Sequence, residues 1–301
     1  MVQQNLLNGQ NAYVKSELDG MQVIEYARDM SVSSYTSKME YFMAAMNVNK
    51  RQVLLNLSGN SYTIQAGAMQ WTTGQVGMQT GVTGVGNFLG KMVSSAVTKE
   101  SAVKPVYSGY GQMMLEPTYR HILLTDVSDW GGSIVLDDGL FLACSSNLQQ
   151  KVVARSNVSS AVFGGEGLFN LSLMGNGVLA LESIVPMEEI IEINLQNDTM
   201  KIDGNMAIAW SGSLDFTTET ATKGLINSAI SKEGLVNVYR GTGRIWMAPV
   251  FTGKSAGSQS LGEKASGEET ASAGQTGTKA GANSTINKME KVGKLLDLFN
   301  G

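Results

Sequence analysis

Residues 163–183 read FGGEGLFNLSLMGNGVLALES, and parts of this stretch recur along the chain. Glu166-Gly167-Leu168-Phe169-Asn170 returns as Glu233-Gly234-Leu235-Val236-Asn237. Gly175-Asn176-Gly177 returns as Gly241-Thr242-Gly243 and was anticipated by Gly109-Tyr110-Gly111. The three Gly-x-Gly motifs begin at Gly109, Gly175 and Gly241, 66 residues apart each time. A fixed period of this kind marks a chain of like structural units.

Outward from the motif, the pattern is that of strands. Gly177 opens an apolar run to Glu182, as Gly111 opens one to Glu116, and a proline follows each run at Pro186 and Pro117. Ile191, Ile193 and Leu195 alternate with polar neighbours, so one face is buried and one is wet. Asp138-Gly139 and Asp203-Gly204 stand between apolar runs and predict type I′ hairpin turns, with φ > 0 at Gly139 and Gly204. Gly67 marks the equivalent turn of the first unit. Two positions after each turn glycine stand Met69, Phe141 and Met206; four positions after stand Trp71, Ala143 and Ile208. These six positions are the predicted core.

The first unit has the turn half but no Gly-x-Gly strand ahead of it, and the last has the reverse. That predicts pairing of residues 244–248 with the first unit to close a ring, which removes an exposed sheet edge. The predicted fold class is all-β: three pseudo-repeated short β-sandwich or double-stranded β-helix units in one closed core, with short peripheral helices.

Four segments follow from the pattern. Residues 1–50 read as an N-terminal extension, with residues 1–20 polar and loose. Within it Tyr35, Met39, Phe42, Met43 and Met46 share one helical face, predicted to pack on the side of the core. Residues 51–252 are the triplicated β core. Inside it, residues 74–90 read as a glycine-rich loop, and short helices are predicted near Phe88–Val97 and in residues 221–232. Residues 253–283 are a Gly/Ser/Ala-rich linker that cannot bury enough apolar surface to order itself; its flexible-chain span is roughly 30 Å. Residues 284–301 carry a second amphipathic helix, with Ile286, Met289, Val292, Leu296 and Phe299 as a stripe beside Lys288, Lys291 and Lys294. The candidate partner-binding residues are Met39, Met43 and Met46 on the first helix and Met289, Leu296 and Phe299 on the second.

Composition narrows the function. Of 301 residues 35 are glycine, 16% are charged and the net charge is -4, which does not resemble a nucleic-acid-binding footprint. One cysteine, Cys144, rules out an intramolecular disulfide, and the first thirty residues carry no apolar signal core, so a cytoplasmic setting is expected. The single histidine, His121, precedes an apolar strand and reads as a strand-edge residue rather than the base of a Cys–His pair. Metal sites built from His and Cys need more of both. Asp126 and Asp129 flank a turn and read as turn residues rather than cation ligands. The Gly-x-Gly motifs each precede a strand rather than a helix. They therefore read as bulges or close strand crossings, not dinucleotide loops.

These motifs, the Asp138–Ala143 stretch and Gly164-Gly165-Glu166-Gly167 together resemble the family named altered inheritance of mitochondria twenty-four, over about residues 52–249. The resemblance implies a fold like that of the tryptophan RNA-binding attenuation protein, tripled in one chain. It also implies non-enzymatic members that tend to oligomerise, the mitochondrial ones being tied to inner-membrane organisation. No tryptophan- or RNA-binding residue carries over.

The expected function is a non-catalytic scaffold or assembly protein without cofactors. It would be a homo-oligomer, with another protein or a membrane surface as further partners and no nucleic acid. The alternative is a small-ligand or lipid/membrane-surface binding module.

Overall fold

The computed structural model describes residues 6, 7, 9, 11–79, 104–154, 169–203, 206–220 and 235–249. The helices predicted at 88–97, 221–232 and 284–301, and Gly204, lie outside them. The described residues form sixteen strands and one α-helix. In chain order the strands are β1 (Ala12–Leu18), β2 (Met21–Tyr26), β3 (Arg51–Asn56), β4 (Ser61–Ile64), β5 (Met69–Gln79), β6 (Val106–Leu115), β7 (His121–Asp126), β8 (Ser133–Leu136), β9 (Phe141–Ser145), β10 (Gln149–Ala154), β11 (Phe169–Met174), β12 (Val178–Ser183), β13 (Ile191–Asp203), β14 (Ala207–Ser211), β15 (Asp215–Thr220) and β16 (Leu235–Met247). Helix α1 (Ser37–Ala45) joins β2 to β3.

Pairing sorts the strands into two sheets. One runs β1-β2-β3-β6-β4-β9-β12-β7 with β5 also on β6; the other runs β10-β11-β8-β14-β16-β13 with β15 also on β16. The first is a nearly closed, barrel-like sheet and the second half of one, so the protein is all-β.

The repeat is visible in the register. In each unit the Gly-x-Gly strand lies antiparallel on the strand that leaves the turn: β6 on β5, β12 on β9, β16 on β14. Each pair carries the same bulge. Met69 faces Leu115 and Trp71 faces Met114; Phe141 faces Leu181 and Ala143 faces Ala180; Ala207 faces Met247 and Ala209 faces Trp246. The extra residue, which has no partner in the ladder, is Gln70, Leu142 or Ile208. The units are therefore β3–β6, β7–β12 and β13–β16.

This register corrects several expectations. Each turn half is completed by the Gly-x-Gly strand that follows it, so residues 244–248 pair with β13 and β14, not with the first unit. The third unit is shifted by one residue relative to its glycine: Ile202 to Ala207 is as long as Leu136 to Phe141, but Gly204 stands one position earlier in that span, so Ala207 and Ala209, not Met206 and Ile208, match Phe141 and Ala143. All of β14 is buried, so Ile208 still reaches the core, whereas Met69 and Trp71 do not reach full burial. Asp138-Gly139 makes no hairpin. β8 and β9 belong to different sheets, so the chain turns a corner between layers. Gly139 has φ +88° as expected, but Asp138 is not among the described non-glycine residues with positive φ, and a type I′ turn needs both. The Asp-Gly hairpin is elsewhere. Asp19 (φ 42°) and Gly20 (φ 81°) join β1 to β2, in residues expected to be loose. Residues 74–79, expected as loop, extend β5.

The core lies in layers between the units. Trp130 and Trp246 meet edge to face with centroids 4.9 Å apart, among Leu136, Phe141, Leu173 and Leu179. A second aromatic group, Trp210, Phe216 and Tyr239, fills the third unit.

The two glycines of the second and third motifs have different reasons, and Gly109 in the first has both, because its Cβ would also fall on the Gln75 carbonyl. The first takes a backbone conformation that side chains avoid, with φ of +132° at Gly109, +121° at Gly175 and +118° at Gly241. The second has no room for a Cβ. At Gly111 it would fall on the Thr73 carbonyl; at Gly177 and Gly243 it would stand 2.8 Å from the Cβ of Ser145 and of Ser211. Across this close crossing a hydroxyl makes the same hydrogen bond three times. The backbone N–H of Gln112 donates to Thr73 Oγ1 (3.3 Å), that of Val178 to Ser145 Oγ (3.0 Å) and that of Arg244 to Ser211 Oγ (3.0 Å).

Two substitution series test this crossing by denaturant unfolding. Gly111→Ala is expected to cost about 2–4 kcal/mol from overlap and strain, whereas Gly139→Ala, whose Cβ meets open space, is expected to cost about 1 kcal/mol. Ser211→Ala, which strands the part-buried N–H of Arg244, is expected to cost about 1–2 kcal/mol. Equal costs at Gly111 and Gly139 would contradict the crossing.

Candidate functional site

The Asp19-Gly20 hairpin lays β1 and β2 against β3, and this sets Tyr13, Glu25 and Arg51 in one row across three strands. A bulge between Val14 and Ser16 brings Lys15 to the same place. Glu25 and Arg51 are 3% and 1% exposed. Glu25 accepts from Arg51 Nε at 2.6 Å, from Lys15 Nζ at 2.8 Å and from the Tyr13 hydroxyl. Burial alone would raise the Glu25 carboxyl; the donors from Lys15 and Tyr13 and the Arg51 charge outweigh it and hold the carboxyl below its ordinary range. The same contact pushes the Tyr13 hydroxyl up to about 12.

Arg51 has five N–H groups, and each has a partner. Beyond Nε, Nη1 donates to the carbonyls of Asn49 (3.2 Å) and Arg120 (3.4 Å), and Nη2 donates to the carbonyl and side-chain oxygen of Asn47, both at 2.9 Å. The guanidinium therefore has no donor left for a ligand. Its backbone bridges Thr118, which ties β3 to the segment before β7. The group is a structural knot, and removing one partner of such a buried pair costs about 3–5 kcal/mol.

Beside the knot is a cavity of about 240 Å³, lined by Lys15, Arg51, His121, Pro186, Met187 and Glu188 among others. His121 opens β7 opposite Ser183 of β12. Burial, helped by the Arg51 and Lys15 charges, pushes its imidazole down to about 4. It is neutral at pH 7 and a weak base there, which suits a packed strand-end residue better than a general base. Cys144 faces Leu179 on the same β12, four residues along from Ser183, so the two do not pair. Burial pushes the Cys144 thiol up to about 12, which leaves it unreactive.

A second cavity, about 270 Å³, lies where the first and second units meet. Its Ser61, Ser146 and Asn147 bond within the fold: Ser146 Oγ to Ser61 Oγ at 2.8 Å, and Asn147 Nδ2 to the Asn176 carbonyl at 2.7 Å. Asp126 caps the short turn Val127–Trp130 by accepting from the Ser128 N–H at 2.7 Å, the turn role expected of it.

Helix α1 falls where the apolar spacing placed it, but not as a packing helix. None of its residues is buried. Met39 and Phe42 are more than half exposed, Met46 is 77% exposed, and Met43 alone of the apolar stripe is half-buried. The local start is fixed by Ser33 and Thr36, which exchange hydrogen bonds between backbone and hydroxyl. Of the candidate partner-binding residues, Met39, Met43 and Met46 share this helix; Met289, Leu296 and Phe299 lie outside the described residues. The Glu25–Arg51 knot was missed in the sequence. Its one local signal is the Asp19-Gly20 turn between Val14 and Val23, in a segment whose first residues are polar.

His121 is the chain's one histidine, so its titration is read without assignment. NMR of the imidazole C–H resonances is expected to give a midpoint near 4 rather than 6.5. Because the folded pKa is depressed, the unfolded state binds the proton first as pH falls from 6.5 to 4, and stability declines over that window. His121→Gln is expected to flatten that decline; a midpoint near 6.5 would contradict the burial.

Residues 45–250 match the family described as mitochondrial biogenesis AIM24. The chain is similar to an uncharacterized protein of Streptococcus pyogenes serotype M6, 33% identical over 207 residues, covering 66% of this chain and 81% of the relative. It is also similar to a Streptococcus pyogenes protein solved by X-ray crystallography in a structural genomics programme, at 28% identity and a TM-score of 0.49, covering 67% of this chain and 89% of that one. With most of its length matched by the family and its Gly-x-Gly strands set in three like units, the chain belongs to the mitochondrial biogenesis AIM24 family.

Proposed function

We propose that the protein is a non-catalytic scaffold, working in the cytoplasm through self-association and contacts with other proteins. The observation that carries this reading is the exposed apolar surface between β2 and β3. Met30, Tyr35, Met39, Tyr41, Phe42 and Met46 are each 56–95% exposed within one short span. Exposed apolar groups gathered in this way mark interaction surfaces, whereas scattered ones do not. The polar groups around the two cavities support the same reading, because Arg51, Glu25, Ser61 and Ser146 are committed to one another. Among the described residues no group of three or more His, Cys, Asp and Glu is placed to hold a metal ion, and no helix is long and apolar enough to cross a membrane.

A lipid-surface module is the second reading, favoured by the same aromatic and methionine side chains. Against it, α1 carries Lys38 and Glu40 and no basic residue in its last turn, whereas helices that lie on anionic membranes are rich in Lys and Arg.

Native mass spectrometry of the full chain separates the readings. Multimers without a retained small molecule are expected. A monomer carrying a tightly held small molecule would instead support a ligand-binding module. Co-sedimentation of a monomer with phosphatidylserine-containing vesicles would support the membrane reading.

A further inference from the structure

The units are joined by one kind of contact, used twice. In the first joint β4 of the first unit pairs with β9 of the second: Tyr62 faces Ser145, Thr63 faces Cys144 and Ile64 faces Ala143. In the second joint β8 of the second unit pairs with β14 of the third: Ile134 faces Ser211, Val135 faces Trp210 and Leu136 faces Ala209. The same two backbone hydrogen bonds flank both. Ser146 N–H donates to the Ser61 carbonyl (2.9 Å), as Gly212 N–H does to Ser133 (2.8 Å). Gln65 N–H donates to the Leu142 carbonyl (2.8 Å), as Asp137 N–H does to Ile208 (2.9 Å).

Each joint needs a donor strand from one unit and an acceptor strand from the next, and the third unit has its own copy of the donor strand. Tyr62 faces Tyr107 on β6, Ile134 faces Leu173 on β11 and Met200 faces Tyr239 on β16, so Met200, Lys201 and Ile202 of β13 are the equivalents of residues 62–64 and 134–136. The first unit has its own acceptor strand. The shared bulge makes Trp71, Thr72 and Thr73 of β5 the equivalents of residues 143–145 and 209–211. Among the described strands β5 pairs only with β6, and β13 pairs only with β16. Exposure agrees. Residues 141–144 and all of β14 are buried, while Met69, Gln70 and Thr72 are exposed, and Lys201 is exposed where Thr63 and Val135 are buried.

We infer that β13 of one copy of this chain pairs antiparallel with β5 of a second copy, in the register already used at both internal joints. Met200 then faces Thr73, Lys201 faces Thr72 and Ile202 faces Trp71. The flanking hydrogen bonds run from Gly74 N–H to the Thr199 carbonyl and from Asp203 N–H to the Gln70 carbonyl. The contact is heterologous: each copy offers a different edge, so copies add head to tail until a ring closes or a filament grows. Pairing removes two open edges that would otherwise template aggregation. This inference deepens the scaffold reading and rests on it, since it names the partner as the chain itself.

The test is a register-specific crosslink in the full chain. Directly opposed antiparallel residues have Cα atoms about 4.5–5.5 Å apart, within disulfide reach. T72C/K201C, both at exposed positions, is expected to give a reducible ladder of trimers and larger species under mild oxidation. Each single variant is expected to stop at dimer or below, and the out-of-register Q75C/K201C to give no ladder. The native Cys144 is buried and does not interfere. A T72C/K201C protein that stays at monomer mass overturns the inference, whether its thiols are free or joined within one chain; the second case means the chain closes on itself. Native mass spectrometry of the wild type separates this failure from that of the scaffold reading. An oligomer that does not crosslink overturns the register alone, and a wild-type monomer overturns both.

Discussion

The structure depends on a crossing that excludes a Cβ. Where Gly111, Gly177 and Gly243 pass over Thr73, Ser145 and Ser211, the Thr73 carbonyl or the serine Cβ lies too close for any side chain at the glycine. The hydroxyl beneath accepts the N–H of the residue that follows the glycine, so a polar group deep in the crossing is satisfied rather than stranded. From that contact each long strand divides. β6 pairs with β4 before its glycines and with β3 after them, β16 pairs with β15 before and with β14 after, and in the second unit β11 and β12 divide the same work between the two sheets. Sheets that exchange strands at such bends need bulges to do it, and the bulge at Gln70, Leu142 and Ile208 is the same device three times.

Once each unit is folded back on itself, its two short strands are left at opposite edges. One edge of each unit fits the other edge of the next, and the chain uses that fit at Tyr62–Ile64 and Ile134–Leu136. The N-terminal hairpin serves a separate purpose. It covers the outer edge of β3, and the buried Glu25–Arg51 pair, with every guanidinium N–H engaged, fixes it there. A charge pair adds little net stability when buried, but it specifies position, because any other arrangement leaves a charge unpaired. The cavity beside it follows from that geometry and has Arg51 as a wall rather than as a ligand arm.

Much of this was legible in the sequence. The 66-residue spacing of the glycine motifs revealed the number of units, and their position before strands rather than helices identified them as crossings. The apolar spacing from Tyr35 to Met46 located α1. What failed was whatever depends on partners distant in the chain. An Asp-Gly turn looks alike whether it closes a hairpin, as at Asp19-Gly20, or turns a corner between layers, as at Asp138-Gly139. Only the strands on either side differ, and local sequence does not name their partners. The one-residue shift in the third unit was hidden because β14 is apolar on both faces, so alternation could not set its register. The phase of the repeat was ambiguous for a related reason: a turn half and a Gly-x-Gly half alternate along the chain, and either could lead. For the candidate site, the row of Tyr13, Glu25 and Arg51 spans three strands and 38 residues, beyond any local pattern, and helical spacing at α1 says nothing about whether the stripe is covered.

Hydrogen exchange of the unmodified full chain, compared between dilute and concentrated solution, tests the central claim most directly. Head-to-tail pairing requires the amides of residues 70–74 and 199–203 to slow together as concentration rises, while those at the two internal joints, residues 62–65 and 134–137, stay equally slow throughout. Exchange at both outer edges that remains fast and independent of concentration would contradict it.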